Sequence, residues 1–97
     1  MKKFFISSIL STCLIFPSFA DNVKIGIILG FTGPIESLAP VMAKSAELAI
    51  SEVNKAGIFM DGKTKISAVR ADSTCVDAAA ATAAAERLIT SDKVNAI

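Results

Sequence analysis

The chain has 97 residues and carries 10 Lys and Arg against 9 Asp and Glu, a formal charge of +1, with no histidine. That length holds one small domain at most. The commonest metal ligand and general base are therefore missing, and the scattered, near-balanced charge offers no basic footprint for nucleic acid.

The N-terminus comes first. Lys2 and Lys3 make a short positive start, Phe4 to Phe16 is mostly apolar, and Ser18-Phe19-Ala20 puts small residues three and one before a cut after Ala20. That three-part layout is a secretory signal peptide over residues 1–20. A membrane anchor fits less well, because the apolar run of about 13 residues falls short of the ~20 a spanning helix needs. Cys13 as a lipid-attachment site would require a smaller residue than Thr12 beside it and would strand Leu14-Ile15-Phe16, so it is read as signal filler. Beyond the cut, eight Lys and Arg face nine Asp and Glu, and the formal charge becomes −1.

Val23 to Leu29 is a compact Val- and Ile-rich run without strict alternation, which suits a strand covered on both faces. Gly30-Phe31-Thr32-Gly33-Pro34 ends it in a loop. From about Ser37 to Ala56, Leu38, Met42, Ala46, Ala49, Ile50 and Val53 recur at helical steps. Ser37 is the expected cap of this helix, Pro40 is tolerable in its first turn, and Gly57 stands where a left-handed terminator belongs. Asp61-Gly62 marks a turn, and Lys65 to Ala71 reads as a second strand. Asp72 to Cys75 forms a loop, and Asp77 caps an alanine-rich helix from Ala78 to about Thr90. Val94 to Ile97 begins a third strand.

Such alternation specifies an α/β fold, with a parallel sheet and right-handed crossovers. The simplest order has the first strand in the middle, the second on one side and the third on the other, with the helices on opposite faces. Ligands of open α/β sheets bind beyond the carboxyl ends of the strands where the order reverses. The Phe31 to Leu38 loop is then one wall of a site, and the opposite wall is expected to follow Ile97.

The chemistry of catalysis is missing. Gly26, Gly30 and Gly33 do not make the dinucleotide-binding G-x-G-x-x-G, and Pro34 follows at once. Glu47 and Glu52 lie off the apolar stripe and read as solvated residues, and Asp72 has no second carboxylate near it in sequence. With no nucleophile–base pair, metal cluster or cofactor motif, a binding role is favoured over an enzyme. Cys75 is left without a partner once Cys13 goes with the signal, which leaves an intermolecular bridge, a free thiol or a partner outside this sequence.

Val23-Lys24-Ile25-Gly26-Ile27 followed by Thr32-Gly33-Pro34 resembles the opening of the leucine/isoleucine/valine-binding proteins of bacterial ABC transporters. Ala46 to Asn54 with Gly57, and Asp72-Ser73-Thr74-Cys75 with Asp77 and the alanine-rich helix, are similar to the next two signatures of that family, so the resemblance covers residues 23–97. It implies that residues 21–97 are the βαβαβ part of the first lobe of a two-lobed periplasmic receptor. Such a receptor is monomeric, closes around a branched-chain amino acid or related small amide or organic compound, and presents it to an inner-membrane permease. By the same resemblance Thr32, Gly33 and Leu38 lie on the cleft side. Leu38 stands where relatives often carry an aromatic residue, and Cys75 pairs with a cysteine past the third strand, beyond residue 97. A ligand-sensing domain of the same fold feeding a regulator, and a truncated product without function, are the alternatives. Enclosure between two lobes supplies the affinity of such receptors, so residues 21–97 alone are expected neither to fold cooperatively nor to bind ligand tightly.

Overall fold

A computed structural model of the chain describes residues 22–97; the signal segment, Cys13 and the cut after Ala20 lie outside the described residues. Four elements follow in order: β1 (Asn22–Leu29), α1 (Ala39–Ala56), β2 (Lys65–Asp72) and α2 (Ala78–Thr90). The two strands pair in parallel over their whole length, from Asn22 opposite Lys65 to Leu29 opposite Asp72.

The expected third strand is reduced to one rung. Ile25 bridges Ala96, with the Gly26 N–H donating to the Ala96 carbonyl at 2.8 Å and the Asn95 N–H to the Lys24 carbonyl at 2.8 Å. The Lys24 N–H is taken by the Asn95 side-chain oxygen at 2.9 Å. Because β2 already holds one edge of β1, this rung lies on the other edge. The first strand is therefore central, as the alternation predicts.

Alternate residues of the pair point to opposite faces, and each face carries one helix. On one side Gly26, Ile28, Val69 and Ala71 look toward α2, where Leu88 and Ala84 complete a small core with Val94 at its margin. Leu88 is the one large side chain without exposure among the described residues. On the other side Arg70 and Ile66 reach α1, through Glu47 and Asn54 respectively. Later residues of α1 meet earlier residues of β2, the antiparallel docking that a strand–helix–strand crossover requires.

Asp77 caps α2 as expected, its carboxylate accepting from the Ala79 and Ala80 N–H groups at 2.8 and 3.3 Å. Gly57 ends α1 in the left-handed conformation at φ 64°. Two expectations for α1 need correction. Ser37 does not cap it: the helix starts two residues later, with Leu38 at the cap position and no side-chain bond. The Ile35 carbonyl instead accepts from both the Leu38 and Ala39 N–H groups, so a preceding turn feeds directly into the helix. The apolar stripe also divides. Ala39 and Ala43 are the residues α1 buries, while Leu38 and Met42 stay 60% and 52% exposed. The row 39, 43, 47, 50, 54 faces the sheet because Glu47 and Asn54 bond to β2, and this turns the larger apolar side chains outward.

Candidate ligand-binding wall

The loops leaving β1 and β2 come together at the carboxyl ends of the strands. The Ser73 N–H donates to the Leu29 carbonyl at 2.9 Å, extending the ladder one step past the strands. That step sets Asp72 beside Thr32, 40 residues earlier in the chain. The Thr32 hydroxyl donates to Asp72 Oδ2 at 2.6 Å, and the Thr32 and Thr74 N–H groups donate to Asp72 Oδ1 at 3.2 and 2.9 Å. These donors stabilise the ionised carboxylate, the Thr32 hydroxyl most and the Thr74 N–H next, and hold the Asp72 carboxyl below the usual carboxylate range.

Gly33 completes the tie. It has φ 94°, and a Cβ there would stand 2.5 Å from the Thr74 carbonyl oxygen. Only a residue without a side chain lets the two loops approach this closely. Thr74 and Cys75 themselves adopt left-handed backbone, at φ 57° and 69°. Behind the loops, Glu47 grips the Arg70 guanidinium through both carboxylate oxygens at 2.6 and 2.8 Å. The same guanidinium lies 5.6 Å from the centre of the Phe31 ring, within range of a cation–π contact. The Arg70 partner lowers the Glu47 pKa and raises its own. Glu47 is thus an anchored residue and not the freely solvated one its place in the sequence suggests.

Of the expected site residues, Thr32 and Gly33 are brought together, and they join Asp72 and Thr74. Leu38 stands apart at the start of α1, with its side chain in solvent. Cys75 is exposed, its thiol unbonded among the described residues. It edges a hollow of about 390 Å³ lined by Ser73, Val76, Asp77, Ala78 and Ala81. Asp72 is the residue sequence reasoning undervalued, since its partners come from the strand register and not from its neighbours in sequence. Among the described residues no group of three or more His, Cys, Asp or Glu is placed to hold a metal ion, and no helix is long and apolar enough to cross a membrane.

The family model described as "Periplasmic binding protein" matches residues 22–97, from the first residue of β1 through the Ala96 rung. The chain belongs to the periplasmic binding protein family. Its two parallel strands, with a helix on each face, are the N-terminal βαβα part of that fold. Comparison with curated proteins and with solved structures returned no match. Membership carries a substrate-binding role outside the cytoplasm, in a family of binders and not of enzymes.

Proposed function

We propose that this periplasmic binding protein is the substrate-binding component of an ABC transporter, taking branched-chain amino acids or related small amides and organic compounds. On this reading residues 1–20 direct export and are removed after Ala20, and the folded product acts in the periplasm as a monomer. There it delivers its ligand to an inner-membrane permease.

The observation that carries the proposal is the Thr32–Asp72 tie at the carboxyl ends of β1 and β2, where open α/β sheets hold their ligands. It gives one wall of a cleft a fixed shape before ligand arrives, and preorganisation of that kind lowers the cost of binding. Its chemistry also favours a cationic group on the ligand. The Thr32 hydroxyl proton is committed to Asp72, so toward a ligand that oxygen can only accept, as an ammonium requires. Leu38, exposed at the far end of the same loop, supplies apolar contact without the bulk of an aromatic ring.

Isothermal titration calorimetry of the full-length protein with leucine, valine and small aliphatic amides tests this. Saturable one-to-one binding of at least one of them is expected, strongest for those with a free ammonium. Absence of heat and of thermal stabilisation with all of them would sink the transport assignment.

A further inference from the structure

Arg70 is held from both helices, and its guanidinium meets the residue that precedes Thr32. Arg70 and Asp72 stand two apart on β2, so their side chains leave the sheet on the same face, the one that α1 covers. The guanidinium lies 5.6 Å from the centre of the Phe31 ring, at the root of the loop that carries Thr32 and Gly33.

An arginine side chain that is 38% exposed ordinarily keeps much of its rotamer freedom. Here that freedom is removed. The Arg70 carbonyl accepts from the Arg87 side chain of α2 at 3.0 Å, and both Glu47 oxygens of α1 accept from the guanidinium at 2.6 and 2.8 Å. Two parallel bonds to one carboxylate fix the plane of a guanidinium as well as its place. A flat cation of fixed orientation is what a ring face stacks on.

Ion pairs this open to water add little to the stability of a fold. The neighbours of this one are instead the residues of the wall. The Phe31 N–H donates to the Leu29 carbonyl at 3.1 Å. It is also the weakest of the groups that lower the Asp72 pKa. Thr32, next in the chain, donates both its N–H and its hydroxyl to the same carboxylate. A swing of Phe31 would draw Thr32 off Asp72, and the contact with Arg70 opposes that swing.

We propose that Glu47 and Arg70 are positioning residues of the ligand-binding wall: they hold the Phe31 ring, and through it set Thr32 against Asp72. The proposal rests on the reading of that wall as the ligand's. It brings α1 into the preorganisation of a tie whose own bonds use only Thr32, Asp72 and Thr74.

Glu47→Gln in the ligand-free, full-length protein tests it, with the Asp72 titration followed by carboxyl carbon NMR. Charge and position act here with opposite signs. Removing a negative charge can, by electrostatics alone, only lower the Asp72 pKa. Releasing Arg70 and Phe31 loosens the Thr32 donors and raises it toward 3.8. An upward shift is expected, with the melting temperature little changed. Phe31→Leu leaves every charge in place and removes the ring face, so it is expected to raise the titration as well. Glu47→Gln added to Phe31→Leu should raise it no further, because the contact it acts through is already gone. A titration that stays or falls in Glu47→Gln would overturn the proposal, as would upward shifts that add in the double variant. If Phe31→Leu does not accumulate in folded form, Arg70→Lys takes its place. It keeps the charge but loses the paired bonds and the planar stack, and an unshifted titration there refutes the proposal. Where the parent protein binds leucine, Glu47→Gln is expected to weaken that binding about tenfold, and unchanged affinity would count against the proposal equally. The titration needs no ligand, so a parent protein that gives no heat with leucine fails the transport reading and leaves the positioning to be decided by NMR.

Discussion

Replacing Gly33 by alanine is the most direct test of the loop tie. The new Cβ meets two penalties. The backbone stands at φ 94°, and holding a residue with a side chain in left-handed territory costs about 1–2 kcal/mol. The Cβ would also lie 2.5 Å from the Thr74 carbonyl oxygen, where ordinary contact begins at 3.4 Å. Relieving such an overlap by moving backbone costs a further ~1–3 kcal/mol. Gly57 provides the control, since its φ is 64° and nothing lies within 4 Å of a Cβ built there. Gly57→Ala therefore carries the conformational penalty alone, about 1 kcal/mol, and Gly33→Ala is expected to cost at least twice as much. Urea unfolding of the two full-length variants, compared at unchanged m-value, measures the difference. If Gly33→Ala falls within about 0.5 kcal/mol of Gly57→Ala, inside the usual scatter of such comparisons, the loops do not depend on the close approach and the reasoning fails.

Two further outcomes follow from the packing and the charges. Leu88→Ala removes the one fully buried large side chain among the described residues, from a core whose other buried members are Ala71 and Ala84, with Ile28, Val69 and Val94 partly buried against it; a loss of about 2–5 kcal/mol is expected by the same urea assay, and a loss under about 1 kcal/mol would mean that the α2 face contributes little. Asp72 has its folded pKa depressed below the ordinary 3.8, so its contribution to loop stability is complete above that value and is lost as the pH falls through the lower, folded pKa. Thr32→Val removes the largest cause of the depression, and carboxyl carbon NMR should then show the Asp72 titration moving up toward 3.8; an unchanged titration would show that the hydroxyl bond does not hold the carboxylate.

Local chemistry was legible in the chain itself. The Val- and Ile-rich run of β1, the cap at Asp77, the left-handed Gly57 and the alanine helix each depend on residues within a turn of one another, and each stands where the pattern puts it. The alternation of elements also determined the central place of β1 and the placing of the two helices on opposite faces, because crossover handedness leaves little choice. One local expectation gave way: the cap position of α1 is Leu38 and not Ser37, because the Ile35 carbonyl just upstream accepts from the Leu38 and Ala39 N–H groups. Tertiary structure decided the rest. The helix turned its alanines inward because Glu47 and Asn54 found partners on β2. Thr32 met Asp72 only once eight rungs of parallel register had set the two strand ends level. The contacts to β2 and between the loops join residues 12, 23 and 40 positions apart, and no periodicity or composition within either segment encodes the distance between them.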